Sequence, residues 1–237
     1  MPARNLDWPG CFNVRDLGGL PVAGGRIRWG AVVRADSLQG LTEEGWAALS
    51  EHGVRTVIDL RNDDELGPDI CARPDALETI QIPLDGDQQS DFWDDWMHGP
   101  QFATPLYYRP HIERFPERSA SVLAAIATAP PGGVAFHCFG GRDRTGQIAM
   151  LLLALMEARP EVVADDYAVS AERLPARYAA LGEPDPEAEL EAFLAERGTT
   201  ARELIIETLR GFDVRASLRD GGLTDDQIAA LRRRLVA

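Results

Sequence analysis

The chain has 237 residues, 45% of them apolar, and carries a formal charge of −14. This is enough material for one well-cored α/β domain spanning residues 1–237, with no second unit announced by any composition shift or linker. The negative charge disfavours nucleic acid and anionic membrane surfaces as partners, so attraction for a phosphate group has to be built locally.

Taken in chain order, Arg26-Ile27-Arg28-Trp29-Gly30-Ala31-Val32-Val33 reads as a strand after a glycine turn. Thr42 is placed to cap a helix that runs through Glu51 and stops at Gly53. A strand over 54–60 follows, then an acidic loop, and a short strand near 79–84. Asp91-Phe92-Trp93-Asp94-Asp95-Trp96 is an aromatic and acidic stretch that suits either the rim of a pocket or packing beneath a long loop. Tyr107 and Tyr108 lead into a predicted helix over 111–129. Residues 133–137 read as a buried strand and residues 144–158 as a buried helix. Further helical patterns fill 161–180, 187–197, 200–210 and 224–235, with Gly182-Glu183-Pro184-Asp185-Pro186 as a loop. Strands alternating with helices imply a mostly parallel sheet covered on both faces, with additional C-terminal helices.

The most informative segment is His137-Cys138-Phe139-Gly140-Gly141-Arg142-Asp143-Arg144-Thr145-Gly146. Cys138 and Arg144 are separated by five residues, two of them glycine, between a strand and a helix. Such a loop lies at a helix N-terminus, where unpaired N–H groups and the macrodipole favour an anion. The backbone of Phe139, Gly140, Gly141, Arg142, Asp143 and Arg144 would cradle a phosphate above the Cys138 sulfur, and Arg144 would hold two phosphoryl oxygens bidentately. The same surroundings favour the thiolate, which is the nucleophilic form. His137 would fix the loop through a hydrogen bond, and Thr145 would donate to the sulfur. Attack of the thiolate on phosphorus would give a phosphocysteine that water then hydrolyses. This chemistry needs no cofactor and no metal, because the loop supplies the positive field.

The phrase His-Cys-x-x-Gly-x-Asp-Arg-Thr-Gly resembles the signature of the bacterial atypical tyrosine phosphatases, a branch of the cysteine-dependent phosphatases. The resemblance runs along nearly the whole chain. Asn13-Val14-Arg15-Asp16-Leu17-Gly18-Gly19, Val33-Arg34-Ala35-Asp36-Ser37-Leu38, the strand ending Asp59-Leu60-Arg61, Ile82-Pro83-Leu84-Asp85 and Gly221-Gly222-Leu223-Thr224 are similar to family segments. It implies a cysteine-phosphatase-like fold. It also implies activity on phosphotyrosine, with phosphoserine, phosphothreonine and phosphoinositides as further substrates. Where family members commonly carry lysine, this chain has Arg142, and since the sequence contains no lysine at all the exchange follows its composition.

The leaving oxygen needs a proton from a carboxylic acid within hydrogen-bond reach. Asp85 and Asp143 are candidates of equal weight, with Asp87 a third. Arg15, Asp16, Arg34 and Arg61 are placed either to form ion pairs that shape the site or to fill a solvated or purely structural role. Cys11 and Cys71 have neither zinc nor Cys-x-x-Cys spacing, although either is a candidate resolving thiol for Cys138. With a required thiol and no disulfide framework, a cytoplasmic location is expected, export without a signal peptide remaining open. The longest apolar run, Ile148 to Met156, is too short to span a bilayer, so no stable membrane insertion is expected. Two alternatives stand beside the phosphatase reading. One is an inositol-phosphate or phosphoinositide phosphatase, for which Arg142 supplies an extra cation, and the other is a non-catalytic phosphate-binding adaptor. The oligomeric state has no sequence signal.

Overall fold

The computed structural model describes residues 3–86 and 90–237. Asp87, the third candidate acid, lies outside the described residues. The chain starts with β1 (Arg15–Asp16), a hairpin of β2 (Pro21–Val22) and β3 (Gly25–Arg26), and β4 (Val32–Ala35). Then come α1 (Glu43–Glu51), β5 (Val54–Asp59), β6 (Glu78–Gln81), α2 (Asp91–Trp96), α3 (Tyr108–Arg114), α4 (Pro116–Thr128) and β7 (Gly133–His137). The C-terminal part is helical: α5 (Asp143–Leu155), α6 (Pro160–Leu181), α7 (Glu187–Ala195), α8 (Ala201–Leu209), α9 (Val214–Asp220) and α10 (Asp225–Leu235).

The main sheet has strand order β1-β4-β7-β5-β6, with β1 antiparallel to β4 and every other pairing parallel. Side chains alternate across it. Val32, Ile58, Val134 and Phe136 join the larger core formed with α4, α5, α9 and α10. Val33, Val57 and Ala135 face the smaller core under α1 and the N-terminal segment. Both faces are covered, as a parallel sheet requires.

Ala35, His137 and Asp59 stand level in the register, so β4, β7 and β5 end together. In open α/β sheets, ligands bind outside these carboxyl ends. The loops that follow carry Asp36, Cys138 and Arg61, and the segment after β6 carries Asp85.

Besides β1, β2 and α2, which the sequence reading did not include, three further elements differ from it. Residues 26–33 divide between β3 and β4, because Gly30 turns with φ +70° and its N–H is bound by the Asp16 carboxylate at 2.7 Å. The helix expected over 111–129 is two helices. Pro116 disfavours helical geometry at the preceding residue, and Phe115 sits at φ −134°, ψ 56°. Helix α9 is additional, nucleated by Asp213, whose carboxylate accepts from the Ala216 N–H at 2.9 Å.

Candidate active site

Loop 138–144 is shaped by what holds its carbonyl groups. His137 Nδ1 donates to the Cys138 carbonyl (3.1 Å), the Ser37 N–H to Phe139 (2.9 Å) and Asn13 Nδ2 to Gly140 (3.0 Å). Arg34 donates to the carbonyl of Gly141 (2.8 Å), and the Tyr108 hydroxyl to that of Asp143 (2.8 Å). Both also approach the Arg142 carbonyl at 3.4 Å. In a trans peptide the N–H points opposite to the C=O before it. Six carbonyls tied on the outside therefore turn the N–H groups of 139–144 inward. Among the described residues, none of the N–H groups of Phe139 to Arg142 donates to a protein acceptor.

Gly141 is required by this geometry. It turns at φ +68°, and a Cβ there would lie 2.6 Å from the Ala35 and Asp36 backbone. The loop opens directly into α5, whose thirteen residues add a helix N-terminus to the cradle. Cys138 is buried beneath it, on the end of β7.

Positive charge is stored under the loop. Arg15 and Arg34 are buried, and both bind Asp166 of α6, Arg34 through NH1 at 2.7 Å and Arg15 through Nε at 3.2 Å. Half-buried Arg4 joins them. Burial alone would raise the Asp166 carboxyl, but Arg15, Arg34 and Arg4 hold it well below the usual range. Two buried guanidinium groups against one carboxylate leave net positive charge beneath the cradle of a strongly acidic protein.

Arg144 is gripped bidentately by Glu65, its NH2 lying 2.6 Å from Oε1. Its NH1 is also 3.4 Å from Asp85 Oδ2. Burial opposes the guanidinium charge, but Glu65 and Asp85 more than offset this and raise its pKa. Glu65, itself half-buried, is held below its ordinary range by those same bonds.

Asp85 is 1% exposed, and neither carboxylate oxygen has a hydrogen-bond partner among the described residues. Burial pushes its pKa up to about 6; Arg144 opposes the shift, while Glu65 and Asp143 add to it. Its backbone is tied by the Trp93 indole, which donates to the Asp85 carbonyl at 3.2 Å. Asp143, the first residue of α5, has one buried oxygen without a partner, and its other oxygen is 3.6 Å from Arg142 Nε.

Other expected site residues take different roles. Burial lowers the His137 pKa to about 4, against the pull of Asp59, so its ring is neutral and fixes the loop by donating to the Cys138 carbonyl. The Thr145 hydroxyl bonds to the Ala35 carbonyl at 3.5 Å, not to the sulfur, because the start of α5 sits over the end of β4. Arg142 turns its side chain out of the cradle to Glu187, at 2.9 Å. Phe139 is exposed, with the Arg177 guanidinium 4.5 Å from its ring centroid. Arg61 forks onto Asp59 and reaches Ser37 at 3.2 Å, whereas Asp16 braces the turns at Gly18 and Gly30, away from the loop. Cys11 donates its thiol to Asp36; burial first, and Asp36 next, raise its pKa. Cys71 is half-buried.

The sequence reading passed over Glu65, Asp166, Asn13 and Tyr108 as working parts. Only Glu65 had a local signal, the capping-box spacing from Asn62, whose N–H it accepts at 3.0 Å. The rest act across long sequence separations.

A parallel sheet ending in an inward-facing amide loop, with cysteine at its base and a clamped arginine at its close, defines the cysteine-dependent phosphatase class. Comparison with known proteins narrows this. The profile of the tyrosine phosphatase family matches residues 6–237, and the chain belongs to that family. It is 35% identical over 146 residues to a tyrosine-protein phosphatase of Nostoc commune, a match covering 61% of this chain and 49% of the relative. It is 27% identical over 212 residues to the triple specificity protein phosphatase PtpB of Mycobacterium tuberculosis, covering 77% and 74%. The match thus spans about half the length of the Nostoc relative. No helix among the described residues is long and apolar enough to cross a membrane.

Proposed function

We propose that the protein is a tyrosine-protein phosphatase that hydrolyses phosphomonoesters through a phosphocysteine on Cys138. The observation that carries this reading is the outward anchoring of six consecutive loop carbonyls, which leaves the N–H groups of Phe139 to Arg142 without a protein acceptor among the described residues. The substrate's phosphoryl oxygens are met there by amides, by the α5 N-terminus and by Arg144. The Cys138 thiolate forms the S–P bond as the P–O bond to the tyrosine oxygen breaks. Asp85 delivers the proton to the leaving oxygen, because a carboxyl titrating near 6 holds its proton far better at neutral pH than an ordinary aspartate. In the second step the same carboxylate takes a proton from the attacking water, whose oxygen bonds to phosphorus as the S–P bond breaks, and phosphate leaves with the Cys138 thiolate restored. Asp143 is the second reading for the acid, favoured by its unpartnered oxygen in the loop itself.

The names of the relatives support protein phosphotyrosine as substrate, and that of PtpB supports a wider range of phosphoproteins. The engagement of Arg142 by Glu187 supports a single-phosphate group over a polyphosphorylated ring, since this cation is already paired. Three free cysteines, one of them required as a thiolate, suit a reducing cytoplasm. Turnover of para-nitrophenyl phosphate by wild type, and its loss in Cys138→Ser, tests the enzyme reading against the adaptor. Persistence of turnover in that variant would refute it.

A further inference from the structure

Arg142 faces two spaces. Its backbone belongs to the loop, while its side chain, 8% exposed, forms part of the wall of a separate cavity of about 390 Å³. This cavity lies between residues 103–105, α6, α7 and the start of α8. Besides Arg142 and Glu187, its wall is largely apolar: Pro105, Ala168, Ala171, Leu190 and Leu194. Glu191 adds a second carboxylate and Arg202 a second guanidinium. Arg142 Nε is buried without a hydrogen-bond partner among the described residues, 3.6 Å from the Asp143 carboxylate.

We infer that this cavity is a specificity subsite for an apolar side chain of a phosphorylated peptide. The inference rests on the reading of the loop as the phosphate site. Arg142 borders both spaces, so they lie about the length of one arginine side chain apart. Two residues of extended peptide, at about 3.4 Å each, cover such a span. The volume lies at the lower end of the range for small-ligand sites and suits one leucine- or phenylalanine-sized group, not a long chain. Charge decides between a peptide and a lipid. The two glutamates of the wall are balanced by Arg142 and Arg202, so the cavity itself is close to neutral and suits an apolar group, while the overall charge of −14 repels an anionic bilayer.

The experiment compares kcat/KM for phosphotyrosine peptides with leucine or alanine at each of the two positions on either side of the phosphotyrosine. Turnover of para-nitrophenyl phosphate by the same protein serves as the reference. Wild type should prefer leucine over alanine at one position by about tenfold or more. Ala168→Leu and Ala171→Leu, which fill the cavity from α6, should reduce that ratio to within about twofold. A wild-type ratio near one at every position, or a preference that survives in both filled variants, overturns the inference. So does a preference for phosphoinositide vesicles over the leucine peptide that the filled variants abolish. Failure of the underlying reading would look different, as loss of Cys138-dependent turnover of para-nitrophenyl phosphate itself.

Discussion

The Arg34 guanidinium and the Asp166 carboxylate meet at 2.7 Å beneath the loop, with both side chains 1% exposed. The same guanidinium reaches the Gly141 carbonyl at 2.8 Å, so an α6 residue fixes a loop peptide through a β4 residue. Arg34→Lys keeps the charge but loses the planar fork that spans both partners. It should raise KM for para-nitrophenyl phosphate and Ki for inorganic phosphate together, by roughly tenfold, which is about 1.4 kcal/mol. Steady-state kinetics with phosphate as inhibitor measure this; unchanged values would mean that the loop keeps its shape without the fork.

Asp85 must carry its proton to act as the acid, so kcat should fall as pH rises through about 6. Asp85→Asn should remove that basic limb and lower kcat by roughly 100-fold for poor leaving groups such as phenyl phosphate, with far less effect on para-nitrophenyl phosphate. If Asp143→Asn does this and Asp85→Asn does not, the acid is Asp143. A stability effect accompanies it. A carboxyl raised to about 6 in the fold favours the native state below its unfolded pKa and loses that contribution as pH rises through about 6. At pH 7, Asp85→Asn should therefore unfold at higher urea, with a gain of at most roughly 3 kcal/mol.

Glu65 holds the Arg144 fork in place, yet it belongs to an acidic loop with no visible motif. Glu65→Gln keeps the size and gives up the charge. It should lower kcat/KM about tenfold, mainly through KM, as the guanidinium loses its orientation. Isothermal titration with vanadate checks this independently; wild-type affinity in the variant would show that Arg144 needs no such clamp.

Burial lowers His137 and His111 to about 4 each, which sets the response to acid. Both take up protons on unfolding, so the stability they contribute is complete above about pH 6.5 and declines toward pH 4. Two protons correspond to about 2.7 kcal/mol per pH unit, and Asp85, releasing one on unfolding, opposes about half of that below pH 6. Urea midpoints at pH 7, 6 and 5 should fall in that order, and more steeply in Asp85→Asn. A flat series in wild type would contradict neutral burial of the two rings.

The parts of the site readable in the sequence were those written contiguously. Residues 137–146 announced the loop, because glycine, cysteine and arginine at that spacing have one economical use between a strand and a helix. The parallel sheet followed from the alternation of strands and helices. What stayed hidden works at a distance: Asn13 holds Gly140, Tyr108 holds Asp143, and Asp166 gathers arginines from the other end of the chain. The stretch Asp91–Trp96 is packing under the acid loop, with Trp93 buried against Tyr107 and His111. Its indole bond to the Asp85 carbonyl also makes it a brace for the proposed acid. Composition was silent on both uses.

The most direct test is rapid quenching of wild-type turnover in acid, followed by mass spectrometry of the peptide containing residue 138. One phosphoryl group is expected on Cys138, appearing before product phosphate and accumulating further in Asp85→Asn if hydrolysis slows more than transfer. Turnover with no phosphoryl group on that cysteine, together with undiminished activity in Cys138→Ser, would contradict it.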